Sequence, residues 1–137
     1  MPCLTQVFDP RTGPVVTVGI APPQASPTGM DWIRALVDTG SSHSAVSASA
    51  ARRARLPSIA KTIVMNTSQI TPADVYAGDL YLPYENSAGR HVHQIPRCRL
   101  VEILLPSPNF DMLIGRDILS IGTLIVIGQT NVVNFCW

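Results

Sequence analysis

Ala35-Leu36-Val37-Asp38-Thr39-Gly40-Ser41-Ser42 is the stretch on which the reading of this sequence turns. Three apolar residues carry an aspartate to the end of a buried strand. The glycine then lets the backbone turn sharply, so that a second chain can come close. Thr39 adds a small hydroxyl able to hydrogen-bond across such an approach. Standing alone, Asp-Thr-Gly is a weak signal, because chance puts a given tripeptide in a chain of this length about 1–2% of the time. An ordinary strand-to-turn Asp-x-Gly would then be the better reading, and context has to decide.

The context lies about 75 residues downstream, where Phe110-Asp111-Met112-Leu113-Ile114-Gly115-Arg116-Asp117-Ile118-Leu119 joins a short apolar strand to one or two helical turns. Together the two stretches resemble the retropepsin-like (retroviral-type) aspartic proteases. In that family an apolar-apolar-Asp-Thr-Gly-(Ser/Ala) loop is braced by a later apolar-apolar-Gly-Arg-(Asp/Asn)-apolar-Leu segment. The resemblance runs in order along most of the chain. It takes in a first strand at 15–20, an active-site loop at 36–44, a flap hairpin at about 62–82, a bracing segment at 112–119 and a terminal strand at 132–136. The paired motifs are specific, and the region between 60 and 110 matches in pattern only.

The resemblance implies a function. Pepsin-like enzymes hold two Asp-Thr/Ser-Gly motifs in one chain of more than twice this length; this chain holds one, at Asp38. The implied enzyme is therefore a homodimeric aspartic endopeptidase in which the two Asp38 carboxylates meet on a two-fold axis. Carboxylates that close cannot both ionise, and such protease pairs are the standard example of a shared proton. The ionised member activates a bound water as general base, and the protonated one donates to the scissile carbonyl. Thr39, Gly40 and Ser41 support the loop: Thr39 by bonding its two-fold mate, Gly40 by presenting its carbonyl to substrate, Ser41 by donating to the Asp38 carboxylate. An extended polypeptide substrate would add as a strand against Gly40, Ser42, His43 and the flap residues Asn66, Thr67, Ser68, Gln69 and Ile70. Leu113, Ile114, Gly115 and Arg116 would brace the loop. This chemistry needs no cofactor and no metal. In retroviral dimers the chain ends interleave, and the matching segments here are 3–5 and 133–137.

Two features depart from the family. The flap tip at 66–72 holds no glycine, and Ser42 stands where retroviral enzymes carry the acidic partner of the Gly-Arg arginine, so Arg116 must find another.

Composition agrees with a single, well-packed domain over 1–137. Of the 137 residues 46% are hydrophobic and 14% charged, against a usual charged share of about 25%, which excludes a disordered, charge-rich chain. The net charge of +1, with no dense basic run, gives nucleic acid no electrostatic foothold. No apolar run reaches the roughly 18–20 residues of a membrane span, and the first residues lack a signal-peptide pattern. The three cysteines, Cys3, Cys98 and Cys136, are odd in number and widely spread. They read as thiols rather than a disulfide scaffold, in a soluble, cytoplasmic protein.

Pattern predicts an all-β chain, a small closed barrel or sandwich with one or two short helices. Strands are expected at 15–20, 32–37, 61–65, 75–82, 99–105, 111–115, 123–127 and 131–135. Residues 21–30 read as a turn-rich connection and 86–89 as a turn. A helix is expected over 46–55, capped by Ser47, with Arg52, Arg53 and Arg55 at its solvated end and Pro57 as its stop. His91 and His93 alternate and so share a strand face, but no third ligand accompanies them. Asp111 reads as a loop residue and Asp117 as a helix cap. The alternative function is a catalytically idle retropepsin-like module for peptide binding or dimerisation. A protease domain cut from a larger polyprotein is a third.

Overall fold

The β-branched run after Gly13-Pro14 and the apolar run before Asp38 pair with each other, and that antiparallel pair starts the barrel. The computed structural model describes residues 1–24, 29–65 and 67–137. Asn66 and residues 25–28 of the expected connection lie outside them. Along the chain come β1 (Cys3–Val7), β2 (Val15–Ala21), β3 (Asp31–Val37), β4 (Ala45–Ser47), α1 (Ala48–Arg53), β5 (Ser58–Met65) and β6 (Ile70–Asn86). They are followed by β7 (Gly89–Ile103), β8 (Met112–Ile114), α2 (Arg116–Leu119), β9 (Thr123–Ile127) and β10 (Val132–Cys136). Of the described residues 57% are in strands and 8% in helices.

One sheet runs β2-β3-β8-β4-β7-β6-β5, and a β2–β6 pairing closes its first six strands into a barrel. Val18, Ile20, Ala35, Val46, Leu80, Leu82, Leu100 and Met112 fill it, each almost fully buried. Burying a side chain of the Val, Leu or Ile kind contributes about 1.5–3 kcal/mol. Closure also depends on a carboxylate: Asp79, 1% exposed, lies beside a register shift between β6 and β7. It accepts hydrogen bonds from the Gln24 and Arg97 backbone N–H groups and from the Gln94 side chain, at 2.8–2.9 Å. A buried carboxylate so satisfied can be kept where an unpartnered one could not.

Two expectations need correction. The helix predicted over 46–55 begins only at Ala48, because Val46 is fully buried and β4 pairs with both β7 and β8. Ser47 does cap it, accepting from the Ala50 N–H. The flap strands are also longer than the pattern suggested, β5 and β6 pairing from Met65↔Ile70 back to Ser58↔Tyr76.

The second sheet, β1-β10-β9, joins the two chain ends. β1 and β10 pair from Cys3↔Cys136 to Val7↔Val132, and Leu4, Val133 and Phe135 are buried. That register sets Cys3 opposite Cys136, and the two form a disulfide spanning 133 residues of sequence. This corrects the reading of both as thiols: an odd count forbids complete pairing but not one bond, and strand register decides which two meet. Within the chain β10 has its own β1 on one side and β9 on the other. Among the described residues no helix is long and apolar enough to cross a membrane.

Candidate active site

β3 delivers Asp38 because its last residues are locked between two neighbours. It lies antiparallel to β2 and parallel to β8, with Leu36 opposite Leu113 and Val37 opposite Ile114. The pairing continues one step past the strand, where the Asp38 N–H donates to the Ile114 carbonyl at 2.9 Å. The chain then turns. The Ser41 N–H donates to the Asp38 carbonyl, and the Gly40 N–H donates to Asp38 Oδ1 at 3.0 Å. Asp38 is left half-buried, with Thr39 and Gly40 exposed beside it.

The bracing segment meets this loop residue by residue. Gly115 lies so close to the loop that a Cβ there would stand 2.7 Å from both the carbonyl carbon and oxygen of His43. The Arg116 N–H donates to the Ser41 carbonyl, and Arg116 Nη1 donates to the Thr39 carbonyl at 2.9 Å. The carboxylate missing at Ser42 is thus replaced, as a partner for Arg116, by a backbone oxygen of the motif itself. A second tie escaped the sequence reading. Ser44, fully buried, donates its hydroxyl to Asp117 Oδ1 at 2.7 Å and accepts from the Gly115 N–H, while its own N–H donates to Asp117 Oδ2. Asp117 also accepts from the Ile118 N–H, but it is not the helix cap expected of it: the N-cap is Gly115, and Asp117 sits inside the first turn of α2, where it serves as a strut to the loop. Its partner is 73 positions away, a separation no local pattern reveals.

Ser41 differs from expectation. Its hydroxyl donates to the His43 carbonyl at 2.6 Å, closing the loop on itself rather than reaching the Asp38 carboxylate. Ser42 and His43 are exposed on that loop. Thr67, Ser68, Gln69 and Ile70 lie elsewhere, at the tip of the β5–β6 hairpin, which joins the sheet through β6. Ile63, Met65 and Ile70 are all more than 60% exposed there, and strand alternation with the Met65↔Ile70 pairing puts all three on one face.

The remaining candidates go to structural work. His91 stacks on Tyr84, and His93 packs on Trp137. Arg53 pairs with Asp111 at 3.5 Å. Burial pushes the Cys98 thiol up to about 11, which leaves it protonated and a poor nucleophile near neutrality. An open groove lined by Trp32, Tyr84, Arg90 and His91 flanks the start of β3, a strand length from Asp38. No group of three or more His, Cys, Asp or Glu among the described residues could hold a metal ion.

A family model described as aspartyl protease matches residues 29–118, from just before β3 to the penultimate residue of the bracing segment. No curated protein and no solved structure matches the sequence.

Proposed function

The chain belongs to the retropepsin-like aspartyl proteases, and from that premise we propose that it is an endopeptidase working as a homodimer. The observation that carries the reading is the loop of Asp38. It offers one half-buried carboxylate, fixed by the Gly40 N–H and braced by Arg116 and by the Ser44–Asp117 pair. Rigid presentation of a single acid is what a two-carboxylate reaction needs from each half. In the dimer one Asp38 takes a proton from water while its mate, protonated, donates to the carbonyl of the scissile peptide. The substrate lies extended, pairing its backbone with the protein and placing alternate side chains in subsites. The exposed apolar face of the β5–β6 hairpin suits substrates with apolar side chains at those positions.

The test compares wild type with Asp38→Asn on a degenerate peptide pool, at several protein concentrations. Asp38→Asn removes the base and its proton, so the rate is expected to fall at least about 100-fold. Wild-type specific activity is expected to drop on dilution. Cleavage that survives Asp38→Asn overturns the assignment. A folded wild-type dimer that cleaves nothing in the pool favours the idle peptide-binding module.

A further inference from the structure

The chain has 10 Lys and Arg side chains, and most of them are engaged. Arg11, Arg53, Lys61 and Arg90 form ion pairs, while Arg34 and Arg116 donate to the Pro108 and Thr39 carbonyls. The rest, Arg52, Arg55, Arg97 and Arg99, are exposed, and among the described residues their side chains make no hydrogen bond or ion pair. The fold gathers these four. The Arg55 N–H donates to the Arg52 carbonyl at the end of α1. Leu56 then lies over β6, its methyl carbons 3.1 and 3.2 Å from where a Cβ on Gly78 would stand, and the Pro57 carbonyl accepts from the Ala77 N–H. Across β6, Ala77 and Gly78 pair with Arg99 and Cys98 of β7. The two sides of this face are thus two strand spacings apart, about 10 Å.

Structural duties do not account for it. The helix dipole favours a cation in the last turn of α1, where Arg52 stands, but Arg55 lies past the C-cap Ala54 and Arg97 and Arg99 lie in a strand. Arg55 and Arg97 also have φ of 58° and 53°, a left-handed region in which glycine and asparagine are at ease and long side chains are uncommon. Local conformation therefore does not select arginine at either position. The acids nearby are engaged: Asp79 is 1% exposed and held by backbone N–H groups, Asp74 and Asp111 have their own cations, and Glu102 accepts from the Asp74 N–H. With a net charge of only +1, the face concentrates positive charge rather than sharing a general surplus.

We propose that Arg52, Arg55, Arg97 and Arg99 form a docking surface for an acidic segment of the polypeptide substrate, remote from the bond that is cut. Calling the partner a substrate rests on the protease reading above. Guanidinium groups present paired N–H donors in the geometry of a carboxylate, which Asp and Glu side chains supply. A peptide fits better than a nucleic acid, because neither 48–57 nor 95–99 holds an aromatic residue on which a base could stack. The surface is also tied to the site. Two residues beyond Arg99, about 7 Å along β7, the Val101 N–H donates to the carbonyl of Ser44, which braces the Asp38 loop. A chain held by its acidic segment at the arginines is tethered close to Asp38, and a second contact of that kind raises the effective concentration of the scissile segment.

Fluorescence anisotropy with labelled hexaglutamate, on full-length Asp38→Asn protein, tests the surface without cleavage. The probe is expected to bind and to be released as salt rises, and hexaglutamine is expected not to bind. Adding Arg52→Gln/Arg99→Gln, at ordinary helix and strand positions, should weaken binding at least about 10-fold. Arg55→Asn/Arg97→Asn should do the same; asparagine tolerates positive φ, so this pair serves if the first misfolds. Arg11→Gln/Arg90→Gln, which removes cations paired elsewhere, should leave binding unchanged. In protein with Asp38 intact, a glutamate tail on a cleavable peptide should lower KM and leave kcat alone, and Arg52→Gln/Arg99→Gln should abolish that gain while cleaving the untailed peptide as wild type does. Failure to bind hexaglutamate at low salt would overturn the proposal. So would unchanged binding in the Arg52/Arg99 or Arg55/Arg97 variants, equal weakening by Arg11→Gln/Arg90→Gln, or tighter binding of oligothymidylate than of hexaglutamate. Arginine-dependent binding of hexaglutamate by a protein that cleaves no peptide, tailed or untailed, would overturn the protease reading and leave the acidic-peptide surface standing.

Discussion

At Gly115 the requirement is for the absence of a side chain. The backbone there is not in the left-handed region, since its φ is −93°; the need is for space against His43 and Ser41. Gly115→Ala must push the 41–43 turn away from α2, and with it the carbonyls that Arg116 binds. A small-to-large change of this kind costs about 1–3 kcal/mol. It is expected to lower the melting temperature and to reduce kcat/KM more than KM alone explains, because the displaced loop carries Asp38. Melting curves and steady-state kinetics on one variant check both. A fully active, fully stable Gly115→Ala would show that the loop does not depend on this contact. The glycine, the aspartate and the arginine were all legible in the sequence, because each belongs to a short stretch whose spacing is itself the signal. Ser44 and Asp117 were not, since a lone serine and a helix-start aspartate acquire meaning only when folding brings them together. The Ser41 hydroxyl was misassigned for a related reason: sequence shows which donor is near an acid but not which acceptor is nearer.

Among the elements, the β5–β6 hairpin shows how charge secures a long, exposed ribbon. Lys61 Nζ lies 2.6 Å from Asp74 Oδ1, and the Ser58 hydroxyl donates to the same oxygen at 3.0 Å. The Lys61 and Ser58 bonds hold the Asp74 carboxyl below its ordinary value of 3.8, and Asp74 in turn raises Lys61 above 10.5. The sign follows. Asp74 is depressed in the folded state, so its contribution is present above the ordinary carboxylate value and is lost as pH falls through the lower, folded value. The Lys61 side chain is 75% exposed, which keeps the effect small and weakened by salt. The β5 amides are therefore expected to lose a small part of their exchange protection as pH falls below the ordinary carboxylate value of 3.8, after correction for the intrinsic rate. Asp74→Asn should remove that pH dependence, and hydrogen exchange read by NMR measures it. Alternation and turn residues placed most strands, but not the lengths of β6 and β7. Those depend on partners: β6 binds β5, β7 and β2 at successive points, so it continues through residues that no local pattern marks as strand. The helix boundary slipped likewise, because α1 yields Val46 and Ser47 to a strand that two neighbours hold.

For the whole molecule, the Cys3–Cys136 bond converts an open chain into a loop closed across 133 residues. Cross-linking a loop that long removes denatured-state entropy worth about 4–5 kcal/mol in the chain-entropy model, and strain in the folded state usually reduces the gain. The sequence-level case for a reducing compartment used these same cysteines as free thiols, and it loses that support. Breaking the bond should not unfold the protein, because the β1–β10 register rests also on Leu4, Val133 and Phe135, all buried. The barrel core lies in a different sheet. Cys3→Ser/Cys136→Ser is therefore expected to keep the far-ultraviolet spectrum and to melt about 10 °C or more lower. Adding a thiol reductant to wild type should reproduce the shift, and adding it to the double variant should change nothing. The third cysteine supplies a control: Cys98, raised to about 11 by burial, should resist alkylation at pH 8 in either protein and react once the chain is unfolded. Equal melting temperatures with and without reductant would mean that the ends are held by strand pairing alone. A double variant that fails to fold would instead give the bond a part in reaching the native state, beyond the stability that loop closure accounts for.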